Sequence, residues 1–225
     1  MSLELCKRNA AEKAASIVEH GMLVGLGTGS TAAYFIEALA ARHREGLKIE
    51  VIASSKSSYL LAKQQGLPLQ DVANLTSIDL YVDGADEIDP QKQMIKGAGG
   101  ALLREKILAH MSREMVVIID ETKLVSKLGL RPLPVEMIPF GVKATVHHLC
   151  QLGYRGALRL SGDGSLYMTE NNNYLYDIQL PHPMDNLAAD HLRICSIPGV
   201  VETGFFQGKA GRVIIGFKDG STVIQ

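Results

Sequence analysis

Cysteine is scarce in this chain of 225 residues: Cys6, Cys150 and Cys195 are odd in number, far apart and without a CxxC pair. Such a set builds no disulfide framework and suits reduced thiols, so a cytoplasmic location is expected. Long apolar runs are also missing. The longest of note, Met115 to Ile119, has five residues, against the ~20 of a membrane-spanning helix, so no membrane partner is expected. The opening residues MSLELCKRNAAEKAA are charged and helical in pattern, with no apolar h-region or small-residue cleavage site behind them, which disfavours secretion. Excess positive charge is absent as well: 23 Lys and Arg stand against 24 Asp and Glu, a formal net charge of −1, which argues against nucleic acid as a partner. There is no GxSxG elbow, no HExxH and no GK[ST], and Cys and His do not gather at ligand spacing, so neither a hydrolytic triad nor a metal site is expected.

What is present is ordinary globular composition, 46% hydrophobic and 21% charged, in a length that suits one large domain or two modest ones. From Met22 the chain reads MLVGLGTGSTAAYFIEALAARH: a strand-like run, three glycines, then apolar positions Ala32, Phe35, Ile36, Leu39 and Ala40 at helical spacing. The alternation continues with IEVIASS, SSYLLAKQQG, SIDLYVDGADEID, the helix ALLREKILAHMS and EMVVIID. Strands separated by helices imply parallel strands with right-handed crossovers, hence a Rossmann-like, doubly wound, mostly parallel α/β sheet. Near Leu130 the character changes, because RPLPVEMIP carries three prolines within eight residues. Beyond it the pattern reads as strand (134–138), helix (143–152), strand (155–160), interrupted strand (166–180) and helix (185–195), a smaller α+β domain with an antiparallel sheet. VVETGFF and RVIIGF read as strands, and VIIGF suits a return to the first sheet. The expected division is a Rossmann-like catalytic domain of residues 1–130 plus 200–225 and a small domain of residues 131–199.

Three constellations carry candidate chemistry. Gly25-Leu26-Gly27-Thr28-Gly29-Ser30-Thr31 lies where a strand ends and a helix begins, a position where backbone N–H groups and the helix dipole attract anions. A dinucleotide fingerprint would need glycine at Ser30 and an acid where Ala53-Ser54-Ser55 stands, so the loop suits one phosphate group, or else is a glycine turn with Ser30 or Thr31 capping the helix. Asp83-Gly84-Ala85-Asp86-Glu87 follows the apolar strand Leu80-Tyr81-Val82 at the carboxyl end where open sheets bind ligands; an Asx turn and a Mg²⁺ site are the other readings. Lys96-Gly97-Ala98-Gly99-Gly100 leads into a helix on which, with Ala101 at 0°, Glu105 falls at about 40°, between Leu108 at about 340° and Ala109 at about 80°. A carboxylate interrupting an apolar face is a candidate general base; a Glu paired with Arg104 or Lys106 on a solvated surface is the plain alternative. Lys96 and Lys123, each at or near a strand end, suit substrate anions or simple solvation.

Taken in order and spacing, GLGTGST, YVDGADEID, IKGAGGALLREK, LPVE and IPGVVETGFF closely resemble the ribose-5-phosphate isomerase A family over nearly the whole chain. The resemblance implies a Rossmann-like domain with a smaller α+β domain, a homo-oligomer, taken here as a homodimer, and cofactor-free interconversion of D-ribose 5-phosphate and D-ribulose 5-phosphate in the non-oxidative pentose phosphate pathway. Carried onto this sequence, the substrate contacts are Thr28, Gly29, Ser30, Thr31, Asp83, Gly84, Ala85, Asp86, Lys96, Gly97, Ala98, Gly99 and Lys123. Glu105 is the proton acceptor; the chemistry of aldose to ketose conversion adds Lys96 beside the charge developing on the C1 and C2 oxygens, and Asp83, with Asp86 three residues on as the other candidate, at ring opening. Ala98 stands where members often have glycine and Leu103 where threonine is frequent; an Ala98 forced to positive φ would be strained. A sugar-phosphate sensor would need a DNA-reading unit, for which only about 24 residues precede the first loop. A sugar-phosphate deaminase or lactonase of the same broad fold would differ in its product.

Overall fold

The computed structural model describes residues 2–180 and 186–225. Its elements begin with α1 (Leu3–Ser16), β1 (Leu23–Leu26), α2 (Ser30–Arg44), β2 (Glu50–Ala53), α3 (Lys56–Gln64) and β3 (Ile78–Asp83). The short β4 (Glu87–Ile88) and β5 (Met94–Ile95) follow, then α4 (Leu102–Met111), β6 (Ser112–Asp120), β7 (Leu133–Met137), α5 (Val142–Gln151), β8 (Gly156–Leu158) and β9 (Tyr174–Ile178). The chain ends with α6 (Leu187–Cys195), β10 (Val200–Thr203), β11 (Phe205–Phe206), β12 (Ala210–Gly216) and β13 (Thr222–Ile224). Contacts divide it into two compact units: the chain up to Ala85 with Arg104–Leu124 and Lys209–Gln225, and Asp86–Leu103 with Val125–Gly208. Among the described residues no helix is long and apolar enough to cross a membrane.

The first unit is built on a six-stranded sheet, β13-β12-β6-β3-β1-β2, parallel throughout except for β13, which pairs antiparallel with β12. Alternate residues explain its layers. Val24, Leu26, Leu80, Val82, Val116, Ile118 and Ile214 face the apolar stripes of α1 (Ala10, Ala11, Ala14, Ala15) and α2 (Phe35, Ile36, Leu39). The intervening Tyr81, Met115, Val117, Ile119, Val213 and Ile215 are buried too, as a parallel sheet covered on both faces requires. The return of VIIGF to this sheet is realised in β12, parallel to β6.

The second unit carries a four-stranded antiparallel sheet, β10-β7-β9-β8, and a three-stranded one, β11-β5-β4. Leu133, Val135 and Met137 alternate inward from β7 and, with Tyr176 and Ile178 of β9, pack among Leu149, Leu187 and Ile194 from α5 and α6. Residues 86–103 and 200–208 belong to this unit because β5 pairs with β11 and β10 with β7. VVETGFF is two strands of different sheets: at Gly204 the backbone N–H donates to the Pro134 carbonyl at 2.7 Å while its own carbonyl accepts from the Lys96 N–H at 2.8 Å. The interrupted strand 166–180 shrinks to β9, since Asn172 takes φ 60° and the side chains of Thr169, Asn171 and Asn173 all donate to the buried Glu136 Oε1 at 2.9–3.0 Å. Expected helix 185–195 starts at Leu187, capped by Asn186; Asp185 lies outside the described residues.

Two tyrosines of this unit set an alkaline limit. Tyr154, whose hydroxyl donates to Asp190 at 2.7 Å, and Tyr176 are each pushed up to about 12, chiefly by burial. The unfolded chain ionises its phenols from pH ~10, before the folded one does, so stability is intact below pH ~10 and is lost as the pH rises towards about 12. Thermal melts across this window should show a falling Tm, with a shallower fall in Tyr154→Phe; equal slopes in the two proteins would contradict the assignment.

Candidate active site

β1, β3 and β6 are parallel neighbours, so the loops after Leu26, Asp83 and Asp120 leave the sheet at one end. The chain passes from β1 to β2 on one side and takes up β3 on the other, so the strand order reverses between β1 and β3. Such a reversal opens a crevice at the carboxyl ends of the strands, where open α/β sheets bind ligands.

Asp83 occupies that point and is fully buried. Its Oδ1 accepts from the Thr28 and Gly84 N–H groups at 3.0 and 2.7 Å, and its Oδ2 accepts from the Tyr81 hydroxyl at 2.5 Å. A Cβ on Gly27 would run into this carboxylate, so the loop can close on Asp83 only with glycine there. Serines brace the loop from β2 and α3: the Thr28 and Ser54 hydroxyls lie 2.7 Å apart, and the Ser58 hydroxyl donates to the Gly27 carbonyl at 2.5 Å. Thus the residues standing where a dinucleotide fold keeps its acid hold the loop instead.

Gly29, at φ 106°, is the N-cap of α2, so no side chain caps this helix. Ser30 is its first residue, and its hydroxyl accepts from Lys7 Nζ of α1 at 3.0 Å in an exposed contact. First-turn N–H groups, the Ser30 and Thr31 hydroxyls and the Lys7 ammonium make this corner attractive to a phosphate. Lys123 is half-buried and closes the 3-10 turn after β6, whose cap is Asp120 accepting from the Thr122 N–H at 3.0 Å.

Glu105 is 3% exposed, so the solvated-surface alternative does not hold; its neighbour Lys106 is buried too, while Ile107 points outward. The Tyr81 phenol is pushed well above its ordinary value by burial first, then by the negative charges of Asp83 and Glu105 and by the hydrogen bond to Asp83, with Ser54 opposing. Tyr81 therefore stays protonated and donates to Asp83, and Glu105 lies within electrostatic reach of that pair.

In the second unit, Asp86 Oδ2 accepts from the Ala98 N–H at 2.9 Å, tying the end of the acidic turn to the KGAGG loop. Asp83 and Asp86 thus serve backbone amides, which argues against the Mg²⁺ reading. Lys96 is buried, with Nζ 5.5 Å from the centre of the Phe206 ring. Gly97, at φ 108°, opens a turn closed by the Gly100 N–H on the Gly97 carbonyl at 3.0 Å. Ala98 is not at positive φ, so the strain considered for it is absent, and Ala98 and Gly99 are exposed. Arg159 grips this turn. Its Nη1 donates to the Gly97 and Ala98 carbonyls, both at 3.0 Å, while Nε and Nη2 are held by Asp177 at 2.9 and 2.6 Å.

A model of the ribose 5-phosphate isomerase A (phosphoriboisomerase A) family matches residues 50–220. The chain belongs to the ribose-5-phosphate isomerase A family. It is 54% identical over 218 residues to the ribose-5-phosphate isomerase A of Protochlamydia amoebophila, covering 97% of this chain and 94% of that one. It is 46% identical to that of Chlamydia trachomatis serovar D, covering 96% and 90%. Among solved structures it is similar to a D-ribose-5-phosphate isomerase in complex with phospho-erythronic acid, with TM-score 0.94 and 36% identity over 100% of this chain and 99% of that one. The Methanocaldococcus jannaschii ribose 5-phosphate isomerase A gives TM-score 0.90 and 37% identity over 97% and 98%.

Within this family frame, sequence reasoning missed Lys7, Ser54, Tyr81 and the Arg159–Asp177 pair. None carries a local motif, and only the fold brings each to its loop. It also missed a cluster: His191 and Cys195 stand one turn apart on α6 and, with Glu202 of β10, bring ligand-type atoms within 4.8 Å of one another, so the expectation that Cys and His do not gather is corrected. The clamp on the KGAGG turn has a direct test. Arg159→Lys keeps the charge but loses the fork, and removing charge-assisted hydrogen bonds worth ~1.5–3 kcal/mol should speed amide exchange across residues 97–100 by about tenfold or more. An unchanged exchange rate would show that the turn holds its own shape.

Proposed function

We propose that the chain interconverts D-ribose 5-phosphate and D-ribulose 5-phosphate by proton transfer through an enediolate, with no cofactor. The observation that carries the reading is the burial of Glu105, a carboxylate at 3% exposure in the unit that also presents the uncapped start of α2. Aldose to ketose conversion removes a proton from C2 and returns it to C1, so one base serves both steps. Glu105 takes the C2 proton and delivers it to C1. Lys96 and the amides of Gly97, Ala98 and Gly99 stabilise charge on the C1 and C2 oxygens. Thr28, Gly29, Ser30 and Thr31, joined by Lys7, hold the phosphate; Gly84, Ala85, Asp86 and Lys123 hold the sugar. Phosphate binding, remote from the reacting carbons, supplies orientation.

The same reading puts the enzyme in the non-oxidative pentose phosphate pathway, in the cytoplasm and as a homodimer. Three free thiols support a reducing compartment. Light scattering on the purified chain measures that assembly.

Glu105→Gln keeps the size and removes the basicity, so kcat should fall by the ~10² to 10⁴ of a lost general base, with the circular dichroism spectrum intact. Near-normal kcat would overturn the assignment. Asp83 has two candidate duties. As a proton shuttle in ring opening, its replacement in Asp83→Asn should impair turnover of cyclic ribose 5-phosphate while sparing C1-proton exchange of open-chain ribulose 5-phosphate. As an anchor for Thr28 and Gly84, the same change should depress both assays equally, and that result would remove the shuttle.

A further inference from the structure

Outside the candidate active site, one cluster joins three different ligand chemistries from two elements. His191 and Cys195 lie one turn apart on α6, and Glu202 lies on the facing β10 of the same unit. His191 Nδ1 is 3.6 Å from Cys195 Sγ and 3.8 Å from Glu202 Oε1, and Cys195 Sγ is 3.8 Å from that same oxygen. These separations form a nearly equilateral triangle. With Zn–N and Zn–O bonds of ~2.0–2.2 Å and Zn–S of ~2.3 Å, tetrahedral coordination has donor-to-donor edges of about 3.4–3.6 Å. The three atoms therefore need to close by only a few tenths of an ångström, which rotation about side-chain bonds supplies.

We propose that His191, Cys195 and Glu202 form a binding site for one Zn²⁺ ion, with water at the fourth vertex. Zn²⁺ is selected over Mg²⁺ and Ca²⁺ by the thiolate and the imidazole, since those hard ions take oxygen ligands. Access is open: His191 and Glu202 are 24% and 22% exposed and Cys195 is half-buried. The donors are also held in place. Glu202 Oε1 accepts from the Thr203 N–H at 2.7 Å, and the His191 ring packs 5.9 Å from Phe205. The Thr203 hydroxyl lies 2.8 Å from His191 Nδ1, and metal binding exchanges that hydrogen bond for a coordinate bond, with the Cys195 thiol losing its proton to solvent. The ion would staple α6 to β10, two residues before Gly204, whose carbonyl holds the Lys96 backbone.

Co²⁺ and Zn²⁺ titrations of the full chain test this. Co²⁺ should give a sulfur-to-cobalt charge-transfer band that saturates at one ion per chain and is displaced by Zn²⁺. At 100 times its Kd, Zn²⁺ should raise Tm by about 5–10 °C. Cys195→Ser should abolish the band. Glu202→Gln and His191→Asn should each weaken Zn²⁺ at least tenfold, and both remain informative if the serine variant folds poorly. Cys150→Ser should behave like the parent protein. A parent protein that gives no band, or one whose band survives in Cys195→Ser or disappears in Cys150→Ser, overturns the site and leaves the cluster as a hydrogen-bond network.

Discussion

Asp83 is the contact on which the first unit's ligand-facing end depends. Its two oxygens take three donors, one from the loop after β1, one from its own turn and one from Tyr81 in its own strand. Adjacent strands deliver the loops, but without a buried acceptor their N–H groups would lie unsatisfied at the end of the sheet, at a cost of ~1–3 kcal/mol each. Glycine at position 27 follows from this contact, because a side chain there would occupy the carboxylate's place. Tyr81 completes it: burial and the surrounding negative charge keep the phenol protonated, so its hydroxyl donates to the carboxylate.

The second unit solves a similar problem with a cation. In the KGAGG turn the guanidinium of Arg159 meets the Gly97 and Ala98 carbonyls together, while Asp177 fixes its plane. Asp86 takes the Ala98 N–H from the same turn. Charged side chains thus shape both loops through backbone groups, Asp83 and Asp86 by accepting from amides and Arg159, itself held by Asp177, by donating to carbonyls.

Burial also separates the chemistry of residues that look alike in sequence. Glu105 and Lys106 are adjacent and both lie inside, whereas His110 and Ile107 on the same helix face out. The wheel of α4 placed Glu105 among Leu108 and Ala109, and that local geometry survived folding.

The sequence by itself determined the alternation of strand and helix, the parallel sheet, the glycine loop at the first strand end, the acid turn at the third strand and the family, because periodicity, turn chemistry and motif spacing are local properties of the chain. It could not reach Lys7 beside Ser30, Ser54 beside Thr28, Arg159 on the KGAGG turn or the meeting of Cys195 with Glu202. Those pairs are separated by up to 62 residues and carry no shared pattern. VVETGFF illustrates the boundary between the two kinds of information: its apolar residues announce strand, yet its division between two sheets is decided by Gly204, whose backbone must satisfy Pro134 and Lys96 together. Hydrogen-bond partners of a loop are chosen by tertiary proximity, and proximity between distant segments exists only once the sheets have formed.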